Sequence, residues 1–322
     1  VIATGYHQKS GSAHAEVDAI SKVDPSLIQG AALYVTLQPC CHTAKKTPPC
    51  TDLIIKSGIV KVIYAHRDPN PAVYNHTDKI LQNAGIECIQ HPLPAIDSFY
   101  ESYSYWWKHK KPFTTAKLAM SLDGRIAGAH GKQIRITGDE AQQFTHQQRK
   151  RTDAILTTAK TIHFDNPLLN SRLNDEVFKK PLYILDAHLS IPISAKIFKS
   201  AENITIFHDA ELGKQHQQKL RQHSMRFIPK KNKKNGLDLL AILNQIGQDG
   251  KIDLWIEAGG VSFQAFIKSG LLQRAFIYVT PIWLGESTQL AFTSPNPLKG
   301  AIPINTTHLG RDTCFEFKWR EQ

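Results

Sequence analysis

The chain has 322 residues, long enough for two domains with separate cores, and its formal net charge of +11 favours anionic partners, either nucleic acid or phosphorylated small molecules. Five cysteines, an odd number, argue against a disulfide scaffold and predict a reducing, cytoplasmic environment. No stretch approaches the ~18 consecutive apolar residues of a membrane span, which excludes an integral membrane protein.

The first third of the chain alternates between strand and helix patterns. Residues 1–7 (VIATGYH) read as the end of a strand without an initiator methionine, so we expect a longer natural protein. Strands are predicted at 31–37, 60–65 and 86–90, with helices around Val17 to Ile20, from 52 to Gly58 and up to Gly85. This alternation predicts a mainly parallel, three-layer α/β sheet.

A set of possible zinc ligands lies within this region. His14, Cys40 and Cys50 offer the nitrogen and sulfur atoms that zinc prefers, and three protein ligands leave a fourth position open for water. Zinc lowers the pKa of bound water from about 15.7 to about 7. Glu16 is the predicted catalytic residue, which carries the proton from that water to a departing amine. This order of residues resembles the zinc nucleobase deaminase signature, with a longer spacing between the cysteines, and predicts hydrolytic deamination.

Three alternatives stay open for this site. Cys41 competes with Cys40 because the two are adjacent, and free cysteines are often only small buried apolar residues. His42 as a fourth ligand would close the site into a structural zinc centre and leave Glu16 without a role. An ideal helix would also point His14 and Glu16 about 200° apart, so they share a pocket only in an irregular first turn.

A linker-like region spans residues 98–112 and combines Tyr and Trp side chains with the basic run 108–111. It is either a stacking platform for nucleic acid or, as the pattern favours, an amphipathic helix that docks between domains. We place the domain boundary after residue 110, which gives domains 1–110 and 111–322.

The second domain has predicted strands at 114–121, 154–158, 182–185 and 204–208, and a last pair at 252–256 and 275–281. Residues 137–140 (TGDE) predict a capping box that opens a helix to about Arg151. A helix at 261–269 ends at Gly270. Glycines at the turn before this helix suit a bound phosphate, although they are a weak signal and the full Rossmann fingerprint is absent.

Seven motifs occur in a fixed order along the chain: HAEV at 14–17, VTLQPCCH at 35–42, TPPC at 47–50, DPNP at 68–71, KLAMSLDGRIA at 117–127, DNPLL at 165–169 and EAGG at 257–260. On these motifs the chain resembles the bifunctional deaminase/reductase family of riboflavin biosynthesis, the RibD family, over nearly its whole length. The resemblance implies a cytidine-deaminase-like three-layer domain followed by a dihydrofolate-reductase-like α/β domain.

The resemblance also implies two reactions. The first domain would deaminate a diaminopyrimidinone ribosyl phosphate with zinc, and the second would reduce the ribosyl group to ribityl with NADPH. It further implies a homo-oligomer built through the reductase halves. Family members carry a helix, a strand and a substrate-contacting asparagine before the position of Val1, so either the natural protein is longer or the first domain is incomplete, and we expect the former.

Further site residues follow from the resemblance alone. In the first domain the substrate contacts would be His7, His42, Lys46, Asp68 and Asn70. In the second domain the substrate contacts would be Lys117, Gln133, Arg149, Leu169, Arg172 and Glu257. The NADPH contacts would be Ala119, Arg135, Thr161, Asp165, Ala187, Gly259, Gly260, Val261, Ser262, Phe263, Gln264 and Ala265. Among the substrate contacts of the second domain, Arg149 and Arg172 suit forked binding of a phosphate, and Glu257 suits the ribose hydroxyls.

The chain departs from the family pattern in several places. Nine residues rather than the usual eight separate Cys40 from Cys50. Gln133 replaces a usual serine, Arg135 a usual tryptophan, and Ala187 a serine often found near the cofactor. The alternative function is a zinc-dependent tRNA-editing deaminase with an RNA-binding second domain, which predicts salt-dependent binding to nucleic acid. A third, more distant hypothesis is a zinc-binding module without enzymatic activity.

Overall fold

The computed structural model of the chain describes residues 1–9, 11–43, 47–129, 133–211, 225–230, 232–233 and 236–320. The chain divides into two compact units, residues 1–109 and 110–322, and the boundary predicted from the sequence lies one residue later.

The described helices are α1 (Ala15–Ile20), α2 (Pro25–Ile28), α3 (Cys50–Ser57), α4 (Pro71–Tyr74), α5 (Thr77–Asn83), α6 (Pro94–Phe99), α7 (Glu101–His109), α8 (Asp139–Arg151), α9 (Ala159–Asp165), α10 (Ile197–Ser200), α11 (Leu239–Gln248) and α12 (Gly260–Lys268). The described strands are β1 (Ala32–Leu37), β2 (Lys61–His66), β3 (Glu87–Gln90), β4 (Phe113–Ser121), β5 (Arg125–Ala129), β6 (Ala154–Thr158), β7 (Ser171–Leu173), β8 (Glu176–Phe178), β9 (Leu182–Leu185), β10 (Ile204–Asp209), β11 (Met225–Lys230), β12 (Asn232–Lys233), β13 (Gly236–Leu237), β14 (Asp253–Glu257), β15 (Arg274–Thr280), β16 (Thr288–Leu290), β17 (Ala301–Leu309) and β18 (Asp312–Trp319).

The first unit is built on a parallel sheet in the order β1-β2-β3. Leu33 and Val35 pack against an apolar cluster that includes Ile54 of α3 and Leu81 of α5. The Thr36 hydroxyl instead bonds to the Tyr100 hydroxyl between α6 and α7, at 3.2 Å. Because alternate residues of a strand point to opposite faces, helices cover both faces of the sheet. The predicted three-layer arrangement is confirmed.

One prediction for the first unit is wrong. Residues 1–7 do not form a strand: the Tyr6 amide donates to the Asp18 carboxylate (3.0 Å), and the Lys22 ammonium donates to the Thr4 carbonyl (3.1 Å), so this segment is held by α1. The region at 98–112 contains the end of α6 and all of α7, so the helix that the pattern favoured is present.

The second unit contains a nine-stranded sheet in the order β11-β10-β9-β6-β14-β4-β15-β18-β17. The first seven strands in this sheet order, from β11 to β15, are parallel to one another. The strand β18 pairs antiparallel with β15, and β17 pairs antiparallel with β18. One apolar cluster joins Ile256 to Phe263 of α12, and a second joins Trp255 to Ile162 of α9. Helices therefore cover both faces of this sheet as well, and the predicted α/β class is confirmed.

Strands β17 and β18 lie beyond residue 281, where the last predicted strand ends, and neither was predicted. Most of β17 is exposed at the sheet edge, so its residues lack the alternation that marks a half-buried strand. The predicted capping box before α8 is also absent. Gly138 precedes the helix, and its amide donates to the distant Asp312 carboxylate at 2.7 Å.

None of the helices in the described ranges combines the length and apolarity needed to cross a bilayer.

Candidate active sites of the two units

The three predicted metal ligands of the first unit lie together. The ligand atoms of His14, Cys40 and Cys50 all lie within 4.8 Å of one another. The Nδ1 atom of His14 is 3.5 Å from the Cys40 Sγ and 3.4 Å from the Cys50 Sγ. The Cys50 amide, at the start of α3, donates to the Cys40 Sγ at 3.3 Å, which favours a thiolate there. One imidazole and two sulfurs at these separations fit a zinc ion with an open position.

Glu16 shares this pocket because the backbone is not helical at His14. His14 is extended (φ −70°, ψ 162°) and α1 begins at the next residue, so the ideal-helix angle between His14 and Glu16 does not apply. Glu16 is 7% exposed, and its side chain forms a hydrogen bond with that of Cys50. Burial raises the pKa of its carboxyl above the ordinary value. A carboxylate and the metal ligands therefore face the same small volume.

Cys41 and His42 lie outside the ligand group. The Cys41 thiol donates to the Ala72 carbonyl at 3.2 Å, and the buried Nδ1 of His42 has no hydrogen-bond partner among the described residues. The geometry favours Cys40 as the ligand and an open catalytic centre over a closed structural one. A residue that sequence reasoning missed is Thr47, whose hydroxyl lies 3.4 Å from the Nε2 of His14.

This arrangement makes a direct prediction for the two adjacent cysteines. We expect Cys40→Ser to lose most of its zinc, since serine is a much poorer zinc ligand than a thiolate. We expect Cys41→Ser to keep its zinc, because only the hydrogen bond to the Ala72 carbonyl changes. Zinc per chain, measured by atomic emission on both variants after the same dialysis, checks this. Equal zinc loss in the two variants would contradict the assignment.

One of the predicted substrate residues of the first unit, Asp68, is a buried carboxylate. Asp68 is 5% exposed, and its Oδ1 accepts from the Asn70 amide (2.9 Å) and the Tyr103 hydroxyl (3.1 Å). Burial raises the pKa of Asp68, and these two hydrogen bonds oppose that rise. The side chain of Asn70 caps α4 by accepting from the Ala72 amide.

Two predicted substrate residues of this unit remain, and one of them lies within the described residues. His7 is exposed, and its ring centre lies 5.3 Å from that of His14. Lys46 lies outside the described residues.

The second unit contains a cluster of charged side chains at its sheet, in which Arg149 and Glu257 are 11% and 13% exposed. Lys117 on β4 lies directly beside Glu257 on β14 in the strand register. Both carboxylate oxygens of Glu257 are paired with Arg149, through Nε at 2.5 Å and Nη2 at 2.8 Å, and the Trp255 indole donates to Oε1 at 2.7 Å. Burial acts to raise the pKa of Glu257, but the attraction and hydrogen bonds of Arg149 lower it to about 2. Glu257 is therefore a carboxylate at neutral pH.

Arg149 differs from the forked phosphate ligand that the sequence suggested. Its remaining nitrogen donates to the Asn170 carbonyl at 2.9 Å, so each of its three nitrogens already makes a hydrogen bond within the protein. Arg172 is more accessible: it donates to the Asn170 side chain (2.8 Å) and contacts His146 (3.2 Å), and its side chain is exposed. Burial and the two arginines lower the pKa of His146 to about 4, which keeps this ring neutral. Arg172 is thus the better placed of the two arginines for a phosphate.

The predicted cofactor residues mostly follow the carboxyl ends of neighbouring parallel strands, where α/β sheets bind ligands. Ala119 lies on β4, Thr161 and Asp165 lie on α9 after β6, and Ala187 follows β9. Asp165 is exposed, and its carbonyl accepts from the Gln133 side chain at 3.4 Å. Arg135 is also exposed and pairs with Asp139.

The start of α12 provides space beside the predicted glycine turn. A Cβ at Gly259 would meet no heavy atom within 4 Å, whereas a Cβ at Gly260 would lie 1.8 Å from the Ala291 carbonyl oxygen, so only glycine fits at position 260. A cavity of about 360 Å³ beside the helix is lined in part by Val261 and Gln264. Free amides at a helix start next to such a cavity suit a phosphate group.

Four predicted residues have side chains that are buried or half-buried. Phe263 is 1% exposed within the apolar core, so it offers its backbone rather than its ring to a ligand. Leu169 is buried with a positive φ of 48°. Ser262 and Ala265 lie half-buried on α12.

Comparisons with known proteins give matches over both units. The family model described as RibD C-terminal domain matches residues 112–315. The model described as cytidine and deoxycytidylate deaminase zinc-binding region matches residues 1–66. The two matches do not overlap, and each falls inside one compact unit.

Individual proteins match almost the whole chain. Riboflavin biosynthesis protein RibD of Aquifex aeolicus is 30% identical over 99% of this chain and 88% of its own length. The solved structure of Acinetobacter baumannii RibD (form 2) has a TM-score of 0.86 at 30% identity, and it covers 98% of this chain and 88% of that chain. A diaminohydroxyphosphoribosylaminopyrimidine deaminase/5-amino-6-(5-phosphoribosylamino)uracil reductase from Thermotoga maritima has a TM-score of 0.84 at 28% identity, over 99% and 89% of the two chains.

Proposed function

This chain belongs to the RibD family of bifunctional riboflavin-biosynthesis deaminases and reductases, and we propose that each of its two units performs one of the two reactions. The family predicted from the order of motifs is confirmed. The tRNA-editing alternative is not favoured, because the second unit matches the RibD C-terminal domain. The enzyme is both a hydrolase and an oxidoreductase.

The deaminase reaction is assigned to the first unit, with a diaminopyrimidinone ribosyl phosphate as its substrate. The observation that carries the assignment is the group of His14, Cys40 and Cys50 within 4.8 Å, with Glu16 buried beside it. Zinc held by these ligands would lower the pKa of water to about 7 and so supply a nucleophile. The Glu16 carboxylate takes a proton from the attacking water and passes it to the amine nitrogen. The carbon–nitrogen bond then breaks, and ammonia leaves as the ring gains an oxygen.

The reductase reaction is assigned to the second unit, which binds a nicotinamide cofactor that we propose is NADPH. The cavity beside α12 and the open space at Gly259 support a cofactor phosphate at that helix start. NADPH would supply the hydride that converts the ribosyl group to ribityl. Lys117, Glu257 and Arg172 would hold the ribose and its phosphate, so this step rests on orientation and electrostatics rather than on a protein nucleophile.

Two assays on the whole chain test this function. Ammonia release from the diaminopyrimidine substrate, lost on chelation of zinc, is the expected result for the first unit. Loss of NADPH absorbance on addition of the deaminated intermediate is the expected result for the second, with NADH as a poorer donor. A chain that turned over neither compound, or that instead released ammonia from tRNA, would contradict the proposal.

Two further properties belong to this proposal. The five cysteines are free thiols, which supports a reducing cytoplasmic location. A homo-oligomer through the reductase units is supported by the edge strand β17, which exposes Ile302 and Ile304.

A further inference from the structure

We propose that α6 and α7 act as a clamp on the segment that follows β2, and that Tyr103 is a positioning residue that orients Asp68 for binding the deaminase substrate. This inference rests on the deamination proposed above. It assigns a role to the aromatic segment around residues 99–107, which neither catalysis nor the zinc site accounts for.

Three hydrogen bonds join this segment to the carboxyl ends of β1 and β2. The Tyr100 hydroxyl bonds to Thr36 of β1 at 3.2 Å. The Ser104 hydroxyl lies 2.9 Å from the Nε2 of His66, the last residue of β2. The Tyr103 hydroxyl donates to the Oδ1 of Asp68 at 3.1 Å. Adjacent residues of α7 therefore hold His66 and Asp68, two positions of one short segment.

His66 connects both helices to the strand. Its Nδ1 lies 2.6 Å from the Asp97 carboxylate of α6, and its ring stacks on Tyr100 with centroids 5.3 Å apart. With Nδ1–H donating to Asp97, Nε2 accepts from Ser104. The order Asp97, His66, Ser104 resembles the triad of serine hydrolases, in which the amide of the serine helps to bind the oxyanion. The Ser104 amide is already engaged, because it donates to the Tyr100 carbonyl. We therefore interpret these hydrogen bonds of His66 as an anchor that holds α6 and α7 to the end of β2.

The clamp leaves one oxygen of Asp68 for the substrate. Oδ1 accepts from Tyr103 and from the Asn70 amide, whereas no described residue gives a hydrogen bond to Oδ2. Burial raises the pKa of the Tyr103 phenol, so this hydroxyl stays protonated and acts as a donor. Fixing Oδ1 aims Oδ2 at the ring amines and N–H groups of a diaminopyrimidine, which are donors that a carboxylate accepts.

The test removes the Tyr103 hydroxyl and keeps the ring. For Tyr103→Phe we expect KM for the diaminopyrimidine substrate to rise about tenfold, with kcat within about twofold of the unaltered enzyme, because Asp68 contacts the substrate equally in ground and transition states. The matched control is Tyr34→Phe, a 76% exposed tyrosine of β1, whose KM should not change. Ser104→Ala, which removes the neighbouring contact, should raise KM in the same sense by a smaller factor.

The outcomes separate this inference from the function on which it depends. An unchanged KM in Tyr103→Phe, or a fall in kcat without a rise in KM, would overturn the clamp while deamination stands. Failure of the unaltered chain to release ammonia would instead overturn the proposed function. Zinc content, thermal unfolding and reduction of the deaminated intermediate should match the unaltered chain in all three variants.

Discussion

Glu16→Gln is expected to keep its zinc and to lose deamination by about a thousandfold or more, near the upper range for a positioned general acid–base group. The amide preserves the size of the side chain in a pocket where Glu16 is 7% exposed, but it cannot accept a proton from water. Ammonia release, measured with a coupled assay alongside zinc per chain, checks this result.

The reductase activity of Glu16→Gln serves as an internal control. Reduction of the deaminated intermediate should be unchanged, because it is assigned to the other unit. Glu87→Gln is the matched surface substitution: this carboxylate is 58% exposed and pairs with Lys61 at 3.1 Å, an ion pair worth about 0–1 kcal/mol. If Glu16→Gln released ammonia as fast as Glu87→Gln, Glu16 would not be the proton carrier.

Arg149→Met is expected to lower the free energy of unfolding of the second unit by about 3–5 kcal/mol, because it leaves the buried Glu257 carboxylate without its partner. Arg135→Met is the control, since that arginine makes an exposed pair with Asp139 worth about 0–1 kcal/mol. Urea unfolding followed by fluorescence measures both. Trp255 is fully buried and bonded to Glu257, so it reports on this site.

The pH dependence provides an independent check with a definite sign. The folded pKa of Glu257 is about 2, below its ordinary value, so the pair stabilises the unit above about pH 4.5 and loses that contribution as pH falls toward 2. In Arg149→Met the strongest interaction that lowers the pKa of Glu257 is gone, so burial raises this pKa against only the smaller effects of Lys117 and Trp255. Acid should then neutralise the buried charge and relieve part of the loss.

Replacing both partners distinguishes a buried ion pair from simple packing. Arg149→Met combined with Glu257→Met should recover much of the lost stability, because two apolar side chains avoid the cost of a buried charge. Reduction should be lost in every variant that lacks Glu257, and deamination should persist. A double variant less stable than either single variant would show that the two side chains do not depend on each other.

Several features could be predicted from local sequence. Alternating apolar runs located β1, β2 and β3 with their helices, because burial of one face leaves a short-range pattern. The residue types at 14, 16, 40 and 50 were enough to predict zinc chemistry, since ligand preference depends on the side chain alone. The order of motifs was enough to predict the family.

Other features depended on residues far apart in the chain. The sequence predicted Cys40 as the ligand and left Cys41 as an open alternative, and the two differ in the structure because one thiol faces His14 and the other faces the Ala72 carbonyl. It also assigned Arg149 to a phosphate, whereas the fold pairs it with a carboxylate 108 positions away.

The sequence by itself determined which chemical groups this protein carries, in what order, and where short-range periodicity builds strands and helices. Only the tertiary structure decided which of those groups meet: Glu16 with Cys50, Tyr103 with Asp68, and Arg149 with Glu257. The physical reason is that burial patterns repeat every two to four residues, whereas a hydrogen bond or metal site requires two side chains to meet in space, whatever their separation along the chain.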